Sequence, residues 1–183
     1  MSMDNNILIR DYTSHQNLHF RPMHSKDLDE VMRIELKVFS TPWQKSGFET
    51  ELTLNRFARY YVLCEGNKVI GYSGIWITPD GTHLTTLAID ENLQRRGLGS
   101  LLLKMVLAKA YLEGISKMSL EVRPSNKAAQ RLYASHGFKV QQRWKGYYRD
   151  EDALIMINEN LDEWGKELAH RFDFPHDNPF KKE

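Results

Sequence analysis

Cysteine is nearly missing from this chain: Cys64 is the only one among 183 residues. A single thiol excludes an internal disulfide and suits a reducing compartment. Cys64 lies inside the apolar stretch YYVLCEG, where it reads as a core thiol rather than a nucleophile. Long apolar runs are also missing, and none approaches the ~20 residues of a membrane-crossing helix. The opening stretch MSMDNNILIRDYTSHQN carries acids and amides and lacks the apolar segment of a secretory signal, so a cytoplasmic location is expected. Neither sign of charge is in excess. The 25 Lys and Arg against 24 Asp and Glu leave a formal net charge of +1. That balance speaks against a general nucleic-acid or membrane-surface binder. His83 and His136 have no His, Cys or Asp partner at metal-ligand spacing, so no metal is expected. No internal repeat or low-complexity tract interrupts the chain, and its length suits one domain with a sizeable core.

What the chain does have is concentrated at LQRRGLGSLLLKM, Leu93 to Met105. From Leu98 the apolar residues Leu98, Leu101, Leu102, Met105, Val106 and Leu112 recur at helical spacing, and Gly114 marks the end of that helix. Upstream, THLTTLAID is rich in Thr, Leu and Ile and reads as a strand. The unit is a strand, a glycine-rich turn with two arginines, and a helix. The first N–H groups of a helix lack internal partners and carry partial positive charge. Glycines let an anion approach that backbone, and arginines add charge-assisted hydrogen bonds, so the turn has the makings of a phosphate cradle. The bland alternative is an ordinary turn with Arg95 and Arg96 solvated. The spacing matches neither a P-loop nor G-x-G-x-x-G, since Leu102 stands three residues after Gly99.

Patterning along the chain predicts a mixed α/β domain. Strands are expected at LHFRPM, RYYVLCEG, KVIGYSGIWIT, THLTTLAI, KMSLEV, FKVQQRWKGYY and DALIMIN. Helices are expected at SKDLDEVMRIELKVF, at SGFETELTL, after the glycine-rich turn, and at NKAAQRLYAS. In the first helix Ser25 is a plausible cap, with Leu28, Val31, Met32 and Leu36 sharing one face. The terminal NLDEWGKELAHRF is a candidate extra helix with no assigned function. Strand meander followed by strand–helix alternation implies a mixed sheet. The expected organisation is a flexible N-terminal extension over 1–17, a domain over 18–160, and a C-terminal extension over 161–183 with a flexible end.

Three details bear on chemistry. In THLTTLAI the residues Leu84, Leu87 and Ile89 cannot share a face under strict alternation. Either a bulge at Thr85–Thr86 repairs the pattern, or the strand is buried on both faces. In KMSLEV, Met118, Leu120 and Val122 share one face, so Glu121 projects from the other; from the residues alone it reads as a solvated carboxylate. Asn126 and Tyr133, seven residues apart with Gln130 between, share a helical face about 10 Å along the axis. By themselves they read as a helix cap, with Ser125 competing for the position, and as a core aromatic.

The run Gln94-Arg95-Arg96-Gly97-Leu98-Gly99 resembles Gln/Arg-x-x-Gly-x-Gly/Ala, the coenzyme A pyrophosphate motif of the GNAT acetyltransferase superfamily. LAIDENLQRRGLGSLLL, LEVRPSNKAAQRLYASHGF and GYYRDEDALIM stand in the order and spacing of RimI-type protein N-terminal acetyltransferases, and FSTPWQKSGFETEL is similar to their Pro-Trp segment. The likeness spans roughly residues 19 to 158. It implies a central, mostly antiparallel sheet flanked by helices, and acetyl-CoA as co-substrate. It also implies a bulged strand whose Leu87, Ala88 and Ile89 backbone binds the acetyl and pantetheine portions. Arg95, Arg96, Gly97, Leu98, Gly99 and Ser100 would hold the pyrophosphate, with Asn126 a further coenzyme contact. Glu121 would be the general base and Tyr133 the general acid. Tyr147 and Tyr148 would wall a peptide channel, packing being their alternative role. The implied acceptor is a protein N-terminus, the N-terminal alanine of a small-subunit ribosomal protein leading. Rivals are an acetyltransferase for a small-molecule or lysine amine, and a non-catalytic acyl-CoA-binding module.

Overall fold

The computed structural model describes residues 7–9, 17–79 and 81–172. Its strands are β1 (Ile7–Ile9), β2 (Leu18–Pro22), β3 (Ala58–Glu65), β4 (Lys68–Thr78), β5 (Gly81–Ile89), β6 (Met118–Val122), β7 (Lys139–Trp144) and β8 (Ala153–Asn158). Its helices are α1 (Leu28–Val38), α2 (Lys45–Thr53), α3 (Leu98–Leu112), α4 (Lys127–Ala134) and α5 (Leu161–Arg171). The strands form one sheet in the order β1-β2-β3-β4-β5-β6-β8-β7. Every pairing is antiparallel except β5 with β6.

Alternation along the central strands buries both faces of the sheet. Tyr61 and Leu63 of β3 join Leu18 and Phe20 of β2 beneath α3, and the Phe20 and Tyr61 rings stack at 4.9 Å. Tyr60, Val62 and Cys64 point the other way, against Leu28, Val31 and Ile34 of α1 and Phe48 of α2. Cys64 is a buried free thiol whose pKa burial raises to about 11, consistent with a packing role. Helix α3 is buried nearly all round, including Leu103, Leu107 and Ala110. The sheet covers one side and α5 the other, through Leu161 and Leu168. A Cβ on Gly165 would stand 2.2 Å from the Tyr111 Cβ of α3, so this crossing needs glycine.

Several local expectations change. The segment Ile7–Ile9, placed above in a flexible extension, is a strand paired with Leu18–Phe20; polar neighbours hid a short apolar triplet with two β-branched isoleucines. The rest of 1–16 and the expected flexible end lie outside the described residues. A single 3-10 turn, Ser25–Asp27, precedes α1, and the Asp27 carboxylate accepts the His24 N–H at 2.8 Å. The N-cap of this turn is His24 and that of α1 is Asp27, so Ser25 caps neither. Leu36 is 62% exposed, because at 100° per residue it turns away from the face holding Leu28, Val31 and Glu35. Strand β7 stops at Trp144, and KGYY belongs to the following loop.

Candidate active site

Strands β5 and β6 pair only at Thr82–Met118 and His83–Ser119. Beyond those two rungs they part, and a cavity of about 350 Å³ opens between them. Leu84, Thr85, Thr86 and Leu87 form one wall, with Glu121, Val122 and Arg123 opposite. A bulge sets the first wall. Gly74 of β4 pairs with Thr86, but the next residue, Ile75, pairs with Leu84, which leaves Thr85 as the extra residue. This offset brings Leu84, Leu87 and Ile89 to the α3 side of the sheet, while Ala88 packs on the α1 side. The Thr85 hydroxyl is buried at this wall, with no hydrogen-bond partner among the described residues.

At the end of β5 the chain turns on Asp90. Its carboxylate accepts the Asn92 N–H at 3.1 Å and pairs with Arg33 of α1 at 2.5 Å. Arg33 holds the Asp90 carboxyl below the usual carboxylate range despite its burial. Gln94 Nε2 donates to the Ile89 carbonyl at 3.2 Å. Arg95 then takes φ 64° and Gly97 φ 81°, both left-handed. A non-glycine residue held there is strained by about 1–2 kcal/mol. Left-handed residues ahead of a helix start turn successive N–H groups into a concavity that suits an anion. Leu98 is buried beneath it, and Arg95 and Arg96 stand exposed at its rim. The Ser100 hydroxyl lies 3.0 Å from His136 Nε2, while His136 Nδ1 faces the Leu132 carbonyl at 2.8 Å. Burial lowers the His136 pKa, favouring the neutral ring; Nδ1 then donates and Nε2 accepts from Ser100. Only the Ser100 backbone N–H remains for the cradle.

The far wall begins at α4. Asn126 is its N-cap, accepting the Ala129 N–H at 3.0 Å, and it also lines the cavity. Ser125 bonds Glu151 instead of capping. Gln130 donates to the Arg123 and Pro124 carbonyls, tying α4 to the end of β6. Tyr133 lines the cavity, and no hydrogen bond holds its hydroxyl among the described residues. Burial pushes its pKa well above 10, so it stays protonated at neutral pH. Glu121 is exposed to the cavity on one side and meets His83 Nε2 at 2.7 Å on the other.

The two tyrosines divide. Tyr148 lines the cavity beneath the Arg123 guanidinium, 4.0 Å from its ring centre. Burial, with Tyr147 and Glu121 nearby, pushes the Tyr148 pKa up to about 12. Tyr147 does not line the cavity; it is 49% exposed and meets Tyr148 edge-on. A third wall carries residues not assigned above: Glu35, Val38, Phe39, Ser40, Thr41, Trp43. Glu35 organises it. Its buried carboxylate accepts the Tyr72 hydroxyl and, at 2.8 Å, the Trp43 N–H. An acid four residues after Val31 on an apolar face was the visible signal. Glu35→Ala would strand both donors; a stability loss of about 2–4 kcal/mol is expected. It should also raise the KM for the acceptor while acetyl-CoA affinity holds, readable by denaturant titration and steady-state kinetics.

Among the described residues no cluster of three His, Cys, Asp or Glu side chains could hold a metal, and no helix is long and apolar enough to cross a membrane. A sheet split between a bulged strand and its parallel neighbour, with an anion cradle at the following helix, defines an acyl-CoA N-acyltransferase. The sequence profile of the acetyltransferase (GNAT) family matches residues 28–138, and the chain belongs to that family. A relative from Bacillus subtilis (strain 168) is 39% identical over 144 residues, 76% of this chain and 95% of its own. The [ribosomal protein bS18]-alanine N-acetyltransferase of Escherichia coli (strain K12) is 31% identical over 140 residues, 73% of this chain and 92% of its own. The crystal structure of the ribosomal-protein-S18-alanine N-acetyltransferase from Escherichia coli superimposes with a TM-score of 0.71 at 29% identity. That match covers 76% of this chain and 92% of the other. The protein is an acetyl-CoA-dependent N-acetyltransferase.

Proposed function

We propose that this enzyme acetylates the α-amine at the N-terminus of a protein, with a small-subunit ribosomal protein beginning in alanine as the leading acceptor. The carrying observation is the cavity, where Glu121 and Tyr133 share one chamber with a wall from the α1–α2 segment and with Tyr148. The names of the Escherichia coli relatives support the acceptor. The cytoplasm, where acetyl-CoA and ribosomal proteins meet, is the matching location.

The cofactor fits these residues: the Arg95–Ser100 turn for a pyrophosphate, the Leu87–Ile89 backbone for the pantetheine, and Asn126 beside it. Bound acetyl-CoA supplies an activated thioester carbonyl and a thiolate leaving group. Glu121 accepts the proton of the incoming ammonium, directly or through water, and Tyr133 holds the proton needed by the departing thiolate. Phe39, Trp43 and Tyr148 orient an extended chain and limit its first side chain.

The choice of amine follows from basicity. An α-amine titrates near 8 and a lysine near 10.4, so at pH 7 the α-amine is neutral roughly two hundred times more often. A carboxylate base therefore suits the α-amine better. A peptide beginning with alanine should be acetylated well. The same peptide with a blocked N-terminus and a free internal lysine should remain unmodified by mass spectrometry. Equal labelling of both would move the assignment to a lysine or small-molecule acetyltransferase.

A further inference from the structure

Behind Glu121, on the side away from the cavity, lies a polar chain that the proposed mechanism leaves unused. His83 Nε2 stands 2.7 Å from Glu121 Oε2. On its other edge His83 Nδ1 lies 3.1 Å from Ser119 Oγ, which in turn lies 3.2 Å from the Thr82 carbonyl. Trp76 leans on the imidazole with ring centres 6.4 Å apart, and Glu51 of α2 accepts the Trp76 Nε1–H at 2.5 Å. Of these groups, Thr82, His83 and Ser119 sit on the two rungs where β5 and β6 still pair, immediately before the sheet splits. Their positions are thus set by the sheet rather than by a loop.

The proton arrangement has two forms. With the Ser119 hydroxyl donating to Thr82, Nδ1–H donates to Ser119, and Nε2 faces a carboxylate at hydrogen-bond distance. Two bare acceptors would repel there, which disfavours this form for a neutral ring. With the hydroxyl turned onto Nδ1, the neutral ring carries its hydrogen on Nε2 and donates it to Glu121. The second form, which the 2.7 Å contact favours, places an N–H donor on Oε2. His83 does not line the cavity, whereas Glu121 does.

We propose that His83 is a positioning residue for Glu121: its N–H, anchored by Ser119, fixes the carboxylate plane through Oε2 and leaves Oε1 for the proton of the acceptor amine. The proposal rests on Glu121 being the general base. A glutamate carboxylate turns about three rotatable bonds and faces competing water, and a fixed donor on one oxygen holds the other in reacting geometry. The residues between β5 and β6 thus form a support-and-base pair, Glu121 touching substrate and His83 acting through it.

His83→Phe keeps the packing against Trp76 and removes the donor, while His83→Gln returns an N–H near the place of Nε2. His83→Phe should lower kcat about tenfold or more, a fraction of the 10²–10⁴ attributed to a general base. KM for peptide and for acetyl-CoA should stay within about twofold, and His83→Gln should recover most of the loss. In a Glu121→Gln background the same His83→Phe change should cost less than about twofold. Should His83→Phe melt early, Ser119→Ala, which frees the ring without removing it, should show the same kcat loss to a smaller degree. Parental turnover in the variant that folds, no recovery with His83→Gln, or an equal cost in the Glu121→Gln background would each overturn the proposal. Parental turnover in Glu121→Gln alone would instead remove the base assignment, and the proposal with it.

Discussion

Glu121→Gln and Tyr133→Phe should each slow acetyl transfer by about ten- to a thousandfold while leaving acetyl-CoA binding intact, since positioned acid–base groups contribute roughly 10²–10⁴. Glutamine keeps the shape of Glu121 and its neighbour to His83, but it cannot accept the ammonium proton. Phenylalanine keeps the ring of Tyr133 in contact with Phe138, at a centroid distance of 5.9 Å, and removes only the hydroxyl. That hydroxyl forms no hydrogen bond among the described residues, so its loss should leave stability nearly unchanged. Burial raises the Tyr133 pKa, which keeps the donor protonated across the neutral range. Activity should therefore not fall between pH 7 and 9 through ionisation of this group. Free-thiol release from acetyl-CoA with an alanine peptide measures turnover, and calorimetry measures the cofactor. Parental turnover in both variants would show that neither residue holds its assigned role, and loss of binding instead of turnover would make them cofactor contacts.

The second large effect lies at the cradle. Gly97→Val should weaken acetyl-CoA binding by about tenfold or more. Two causes act together. Gly97 sits at φ 81°, where an L side chain is strained by roughly 1–2 kcal/mol and a β-branched one by more. Relieving that strain would turn the N–H groups away from their common focus. A comparison separates this from general damage. A Cβ on Gly99 would rest 3.6 Å from Leu132 and 3.9 Å from Ile89, ordinary contacts, so Gly99→Ala should bind acetyl-CoA nearly as the parent does. Titration calorimetry beside a thermal melt reads both variants. Unchanged affinity in a folded Gly97→Val protein would remove the cradle.

Much of this was legible because local rules carried it. The strand at THLTTLAI broke alternation between Leu84 and Leu87, and a two-residue periodicity allows few repairs; the bulge at Thr85 is one of them. The glycine-rich turn announced itself because only a few backbone shapes can precede a helix and still admit an anion. Both rest on neighbours within ten residues of one another. Glu121 illustrates the limit: alternation placed it on the correct face of β6, yet from the residues alone it read as a solvated carboxylate.

Other features depend on elements far apart in the chain. The pairing of His83 with Glu121 joins residues 38 positions apart, and nothing local to THLTT marks it. Glu35 was passed over because its partners, Tyr72 and Trp43, come from other elements. The Ser100 hydroxyl meets His136, from the turn after α4, a contact that nothing local to the glycine-rich turn marks. Tyr147 and Tyr148 are chemically identical in sequence, and only the path of the loop after β7 sends one to the cavity and the other to solvent. The sequence by itself determined the periodicities, the order of elements and the backbone freedom at Gly97, because these follow from sterics and burial within a few residues. Tertiary structure decided which side chains meet, since a hydrogen bond or a shared cavity forms only once the sheet has brought distant strands into register.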